Sequence, residues 1–306
     1  MTDLTFRWNE TTLVGSLHLP PAQSSAPHPA VLMLQGSGPA DRDSGGFFPP
    51  IRESLLNAGV ATFAFDKPGC GSSTGDWRRH GLEARAEQAV SALEAVRGHP
   101  TVDAERVGVF GHSQGGWVVH MLADRLPGLT FAVANSGPSI GVADQILYDC
   151  EHTLRDQGYS ESEIEEALAF VADVQEAANR NESFPSVEAR LLENARGQRW
   201  YDNVTIADAD DWDLTRLWST EPYEPIESLS RIRCPFLAVY GGLDLLVPAW
   251  RGAKESGDAL HSAGNRDATV VVFPAGNHRL QLGETEEFVL GYLDLLGDWI
   301  GRRVQR

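Results

Sequence analysis

Short apolar runs recur along the chain and alternate with longer stretches in which apolar residues return every three or four positions. The apolar runs span residues 30–34, 61–65, 106–110, 131–134, 235–240 and 268–273. Runs of this length are typical of strands that are buried on both faces of a parallel sheet. The stretches with helical spacing span residues 50–58, 82–97, 116–125, 250–263 and 286–303. The alternation predicts an α/β fold with a mostly parallel, doubly wound sheet.

The beginning of the chain has a different period. Residues 5–19 alternate between apolar and polar positions on either side of Asn9 and Glu10. A period of two is typical of strands with one buried face, and Asn-Glu is a suitable turn between two of them. We therefore expect an antiparallel hairpin at the edge of the sheet.

The middle of the chain, residues 141–230, is strongly acidic. It holds 21 Asp and Glu against 6 Lys and Arg, a net charge of −15 within a total of −18. Ser160 and Glu163 have the spacing of a capping box at the start of a helix. We predict a core of residues 1–140 and 231–306 and an acidic, mainly helical cap insertion of residues 141–230. Its aromatic residues Trp200, Tyr201, Trp212, Trp218 and Tyr223 either cover a pocket or form the insertion's own small core.

Composition and charge exclude several classes of protein. With 306 residues, 42% hydrophobic and 22% charged, the chain is typical of globular proteins. The net charge of −18 argues against nucleic acid and anionic membranes as partners, because both attract basic surfaces. No basic and apolar leader is visible and no run of eighteen apolar residues occurs, so we expect a cytoplasmic protein. Three widely separated cysteines, Cys70, Cys150 and Cys234, predict no disulfide framework. The oligomeric state is left open.

The segment Gly111-His112-Ser113-Gln114-Gly115 fits the pattern G-x-S-x-G. It follows a predicted strand and opens a predicted helix, which is the setting of a nucleophile elbow. Glycines are needed two residues on either side of Ser113 because the turn leaves no room for side chains there. This context predicts that Ser113 is a nucleophile.

A serine hydroxyl needs a base and an acid that orients the base. Asp244 follows the predicted strand 235–240, and His278 follows the predicted strand 268–273. Both should therefore reach the carboxyl edge of the sheet, where Ser113 is expected. Considered singly, each residue could belong to an ordinary turn or loop. The order Ser, Asp, His favours a catalytic triad.

The loop of residues 35–43 is rich in glycine and follows the predicted strand 30–34. Its Ser37 N–H and the Gln114 N–H would form an oxyanion hole. Arg42 is interpreted as an ion-pairing residue that fixes the loop, with recognition of a substrate carboxylate as the alternative. The loop lacks both nucleotide-binding glycine patterns, and the histidines show no metal-ligand spacing. We therefore predict neither a cofactor nor a metal ion.

Together these motifs resemble the α/β-hydrolase superfamily, in particular bacterial serine esterases with a Gly-Ser-Gly-Pro-x-Asp-Arg-Asp loop. The resemblance rests on residues 36–43, the turn 66–73, the segment 111–115, the turn 241–244 and residues 276–278. It implies Ser113, Asp244 and His278 as the triad and Ser37 and Gln114 as oxyanion donors. The chain departs from many relatives at Gln35, where they have histidine, and we assign no family resemblance to the cap.

These observations predict a serine hydrolase that cleaves a small carboxylic ester through an acyl-enzyme. A thioesterase, lactonase, or amide or peptide hydrolase would use the same triad, so these alternatives stay open. A hydrolase fold recruited for a lyase or cyclase reaction is a further alternative. The acidic insertion favours an uncharged or cationic substrate, because it should repel anions.

Overall fold

The computed structural model describes residues 1–21, 27–204, 208–220 and 223–305. The chain divides into two compact units. The first unit comprises Met1–Ser139, Pro225–Asp244 and Ala249–Arg306, and the second comprises Ile140–Glu224 and Leu245–Pro248. The second unit thus ends its main segment six residues before the predicted boundary at residue 230.

An eight-stranded sheet forms the centre of the first unit. Its strands are β1 (Thr2–Trp8), β2 (Thr11–His18), β3 (His28–Leu34), β4 (Ala61–Phe65), β5 (Val102–His112), β6 (Ala132–Asn135), β7 (Phe236–Gly241) and β8 (Ala268–Phe273). The spatial order is β1-β2-β4-β3-β5-β6-β7-β8. The pairs β1/β2 and β2/β4 are antiparallel and all other neighbours are parallel. The predicted α/β class, the mostly parallel sheet and the edge hairpin are confirmed.

The α-helices of the described residues connect these strands or lie in the second unit. They are α1 (Phe48–Asn57), α2 (Leu82–Arg97), α3 (Gln114–Arg125), α4 (Val142–Asp156), α5 (Glu161–Asn179), α6 (Phe184–Val187), α7 (Glu193–Ala195), α8 (Ala209–Thr220), α9 (Pro225–Leu229), α10 (Ala249–Ser262) and α11 (Tyr292–Val304). One-turn 3₁₀ helices occur at Trp77–Arg79 and Tyr201–Asn203, and a π-helical turn at Glu188–Leu192. None of the helices in the described ranges is long and apolar enough to cross a membrane.

Four strands of the first unit are buried along their whole length. Every residue of β3, β4, β6 and β7 is buried. Helices α1 and α11 contribute residues such as Ile51 and Leu296 to one apolar cluster with Val31 and Leu237 of the sheet. Burial of such side chains stabilises the fold by about 1.5–3 kcal/mol each. The cluster provides a rigid base for the loops at the strand ends.

The start of the last helix differs from the predicted start at residue 286, which was wrong. Helix α11 begins at Tyr292, after Gly291 in a left-handed conformation with φ of 84°. The residues before Gly291 are not helical, since the Val289 N–H donates to the Leu280 carbonyl at 2.8 Å. This backbone pairing with an earlier segment therefore overrides the helical spacing of residues 286–291.

The second unit has its own apolar core. Helix α5 begins after Ser160 with the predicted capping box, in which the Ser160 N–H donates to Glu163 Oε2 at 2.8 Å. Trp200, Tyr201 and Trp212 are buried in the core of this unit. For these three aromatic residues the structure favours the interpretation as the insertion's own core.

Candidate active site

Ser113 lies in a sharp turn between the end of β5 and the start of α3. Its φ of 55° and ψ of −123° fall outside the regions that residues with a side chain favour. Two hydrogen bonds hold the turn: the Ser113 N–H donates to Asn135 O at 2.9 Å, and the Gly116 N–H donates to Ser113 O at 2.7 Å. Strained residues of this kind cluster at functional sites, and Ser113 is partly exposed.

Glycines make this turn possible by close approach of backbone segments. A Cβ atom at Gly111 would lie 2.1 Å from the Gly115 oxygen, and one at Gly115 would lie 2.5 Å from the Leu34 oxygen. Cβ atoms essentially never come closer than 3.0 Å to another heavy atom. Any side chain at either position would therefore push apart the strand, the turn and the neighbouring loop.

Asp244 and His278 meet in the loops that follow β7 and β8. His278 Nδ1 lies 2.8 Å from Asp244 Oδ2, with the Asp244 side chain fully buried and the imidazole 15% exposed. A Cβ at Gly241 would lie 2.1 Å from Asn277 O, so glycine allows the two loops to approach. Because a carboxylate only accepts hydrogen bonds, this contact places a proton on Nδ1 of His278, and in the neutral ring Nε2 then carries none.

The structure brings these two residues to the same sheet edge as Ser113. Strands β5, β6, β7 and β8 are parallel neighbours, so the loops at their carboxyl ends lie side by side. The His278 ring centroid is 4.8 Å from that of His112, the residue before Ser113.

His112 is a neutral neighbour of His278. Tyr292 donates its hydroxyl proton to Asn135 Oδ1 at 2.8 Å, so the Asn135 amide faces His112 and donates to Nδ1 at 3.1 Å. Burial lowers the pKa of His112 well below its ordinary value, and the nearby His278 and Arg279 lower it further. His112 therefore adds no positive charge beside His278.

The loop after β3 runs alongside Ser113. A Cβ at Gly36 would lie 3.1 Å from the Ser113 Cβ and 3.6 Å from its Oγ. In the part of the chain that the structure describes, neither the Ser37 N–H nor the Gln114 N–H is bound to an acceptor. Gln114 is the first residue of α3, where backbone N–H groups point away from the helix. Both predicted donors are thus available to an oxygen atom.

The buried side chain of Gln35 also fixes the loop after β3. Gln35 donates through Nε2 to Phe65 O at 2.5 Å and to Asp41 O at 3.0 Å.

Arg42 binds Asp66 rather than facing a ligand. Its Nε and Nη2 donate to the two Asp66 oxygens at 3.0 and 2.6 Å. Burial alone raises the pKa of Asp66, but hydrogen bonds from Arg42 and Ser72 outweigh it and hold this pKa below its ordinary value. This arrangement agrees with the ion-pairing interpretation of Arg42.

Two residues at this site were missed by the sequence reasoning. Lys67 and Arg85 both donate hydrogen bonds to the backbone of the loop after β3. Lys67 stands inside the turn 66–73 that carries the family resemblance, so its position offered a signal. Arg85 lies within α2, where no motif points to it. Across the described residues, no three His, Cys, Asp or Glu side chains are grouped to hold a metal ion.

Comparison with known sequences gives the family. A model of the Alpha/beta hydrolase family matches residues 31–289. An uncharacterized 31.7 kDa protein of Escherichia coli is 25% identical over 222 residues, covering 70% of this chain and 71% of that protein. Esterase FrsA of Yersinia enterocolitica is 35% identical over 129 residues, or 42% of this chain and 29% of FrsA. The match therefore spans less than a third of FrsA.

Solved structures share the fold. The Pyrococcus furiosus esterase Pf2001 superposes with a TM-score of 0.65 at 16% identity, covering 100% of this chain and 90% of Pf2001. Est1E of Butyrivibrio proteoclasticus, solved with ferulic acid, gives a TM-score of 0.60 at 17% identity, covering 98% of this chain and 96% of Est1E. At these identities the likeness concerns the fold.

Proposed function

We propose that this chain, which belongs to the alpha/beta hydrolase family, is a serine hydrolase that cleaves small carboxylic esters through an acyl-enzyme. The observation that carries the proposal is the 2.8 Å contact between His278 Nδ1 and Asp244 Oδ2 at the sheet edge that also holds the strained Ser113. The names of FrsA, Pf2001 and Est1E, two of which are called esterases, support an ester as the substrate.

In the proposed first half-reaction, Ser113 Oγ attacks the ester carbonyl while His278 Nε2 takes its proton. Asp244 stabilises the imidazolium that forms. The carbonyl oxygen becomes an oxyanion that accepts hydrogen bonds from the Ser37 and Gln114 N–H groups, each worth about 3 kcal/mol of barrier. When the tetrahedral intermediate collapses, His278 returns the proton to the leaving alcohol, and the acyl group stays on Ser113.

The second half-reaction repeats these steps with water as the nucleophile. His278 Nε2 takes a proton from water, the hydroxide adds to the acyl carbon, and the same two N–H groups bind the oxyanion. Collapse releases the carboxylic acid and reprotonates Ser113 through His278. Neutral His112 beside the imidazole leaves its base function undisturbed, since it adds no charge.

The substrate class is proposed from the chemistry of the triad and the charge of the second unit. Thioesters, lactones and amides pass through the same tetrahedral intermediate, and a lyase or cyclase could use the same fold. The charge of −15 over residues 141–230 supports an uncharged or cationic substrate. A set of matched neutral, anionic and cationic esters, thioesters and amides ranks these classes by kcat/KM. A preference for the anionic ester would contradict the charge argument.

The decisive experiment compares wild type with Ser113→Ala on p-nitrophenyl butyrate. We expect the substitution to lower kcat at least about 10³-fold. Ser91→Ala on α2 is the matched control and should keep full activity. A fluorophosphonate should label wild type at Ser113, as seen by mass spectrometry. Turnover that survives in Ser113→Ala, or no turnover in wild type, would overturn the proposed function.

A further inference from the structure

Two cationic side chains bind the carbonyl groups of the loop after β3. Lys67 Nζ donates to Gly36 O and, at 2.6 Å, to Gly38 O. Arg85 Nη2 donates to Gln35 O at 2.7 Å, and Nη1 also reaches Gly36 O at 3.4 Å. Three carbonyls within four residues are thus turned toward the same pair of cations.

This arrangement fixes the direction of the neighbouring N–H groups. In a planar trans peptide the C=O of one residue and the N–H of the next point to opposite sides. When Lys67 and Arg85 hold Gly36 O, the Ser37 N–H must therefore point away from them. Ser113 lies against Gly36, with 3.1 Å from its Cβ to a Cβ built on the glycine. The cations thus set the orientation of the first predicted oxyanion donor.

Arg85 also contacts the residue that carries the second donor. Its Nη1 donates to Gln114 Oε1, and Gln114 is almost fully buried, at 4% exposure. One guanidinium therefore connects the loop after β3 to the first residue of α3. A planar group with several fixed donors suits this bridging role better than an ammonium group does.

The two cations lack the usual partners of buried charges. Among the described residues, no carboxylate lies within ion-pair distance of Lys67 or Arg85. Asp66, next to Lys67 in the chain, is bound by Arg42. Lys67 is buried and Arg85 is partly buried. Since a buried cation without a counterion is costly, this positive potential beside Ser113 lowers the stability of the fold. It favours a negative charge that develops there.

We propose that Lys67 and Arg85 are positioning residues of the oxyanion hole, which orient the Ser37 and Gln114 N–H groups and supply positive potential to the oxyanion. This inference rests on the proposed function, because it requires an oxyanion to form at Ser113. Neither residue is proposed to touch the substrate.

The ionisation of Lys67 supports this role and makes it measurable. Burial lowers the pKa of Lys67 well below its ordinary value of 10.5, the Arg85 guanidinium lowers it further, and Cys70 opposes the shift. Burial also lowers the pKa of Arg85 to about 10. As pH rises through the lowered pKa of Lys67, the ammonium loses its charge. We therefore expect kcat to fall on the alkaline side.

The test compares Lys67→Met, Lys67→Arg and Lys254→Met on p-nitrophenyl butyrate. Lys254 is the matched control, because it is the only other lysine of the chain and its side chain is 77% exposed. We expect Lys67→Met to lower kcat about 10- to 100-fold with little change in KM, since the loss affects the transition state. Lys67→Arg should restore most of kcat and move the alkaline fall of activity to higher pH. Lys254→Met should leave both kcat and the alkaline fall unchanged.

Two results would overturn the inference: an unchanged kcat in Lys67→Met, or an alkaline limb that stays in place in Lys67→Arg. If Lys67→Met does not fold, the pH at which the kcat of Lys67→Arg falls tests the inference by itself. Failure of the proposed function looks different, since wild type and Lys254→Met would then hydrolyse no ester or Ser113→Ala would stay active.

Discussion

The arginines of the second unit and two cations of the first unit, Lys67 and Arg85, bind different kinds of partner. In the second unit each arginine forms an ion pair with a carboxylate: Arg155, Arg180, Arg190, Arg196, Arg199 and Arg216. At the loop after β3 in the first unit, Lys67 and Arg85 instead bind backbone carbonyls and the Gln114 amide oxygen.

The arginines of the second unit are expected to stabilise the fold little, whereas Lys67 and Arg85 position the candidate site. Exposed ion pairs contribute about 0–1 kcal/mol, because water and salt screen them. Removal of a cation that binds carbonyl groups has a larger effect, since those carbonyls then lose a charged donor. We therefore expect the acidic surface of the second unit to tolerate substitution, and the loop after β3 to be sensitive to replacement of Lys67 or Arg85.

The strongest test of this contrast is Arg85→Met against Arg190→Met. Arg85→Met should lower kcat about 100-fold, because both predicted oxyanion donors lose an anchor. Arg85→Lys should be intermediate, since an ammonium cannot reproduce the planar donor pair. Steady-state kinetics with p-nitrophenyl butyrate measures these values, and Arg190→Met should match wild type. Equal kcat values in Arg85→Met and wild type would abolish the distinction between the two groups of cations.

A smaller effect is expected in the ionisation of the two lysines. With ¹³Cε-labelled lysine the chain should give two NMR signals, which Lys254→Met assigns. The Lys67 signal should titrate below 10.5 because of burial, and the Lys254 signal above it because of its hydrogen bond to Asp258. Between the lowered pKa of Lys67 in the folded state and its ordinary value of 10.5, the unfolded state binds more protons at this residue. In this pH range the contribution of Lys67 to stability therefore rises with pH, while activity falls. A Lys67 signal at or above the Lys254 signal would contradict the assigned burial.

The features that the sequence could predict are local. The strand-turn-helix setting of Ser113, the capping box at Ser160 and the positions of Asp244 and His278 after strands all follow from residues close in the chain. Glycines mark where backbones approach, as at Gly111 and Gly115. These signals suffice for the fold class and for placing the predicted triad residues on one sheet edge.

The features that could not be predicted depend on distant contacts. Lys67 binds carbonyls 29 and 31 residues away, and Arg85 reaches Gln35 across 50 residues. No local pattern encodes such contacts, because they depend on the packing of α2 and the turn after β4 against the loop. The wrong start of the last helix has the same origin, since the pairing of Val289 with Leu280 competes with helical spacing.

The smallest effect should come from the ion pairs of the second unit. Arg155 contacts Glu151 at 2.7 Å and Glu161 at 2.9 Å, but its side chain is 44% exposed. Arg155→Met should therefore shift Tm by no more than about 3 °C, and 0.5 M NaCl should reduce that difference, because salt screens exposed charges. Calorimetry at low and high salt measures both, with Glu161→Gln as the partner control. A large, salt-independent loss would mean that this ion pair is shielded from solvent, and the expected difference in effect between the arginines of the second unit and the two cations at the loop after β3 would then fail.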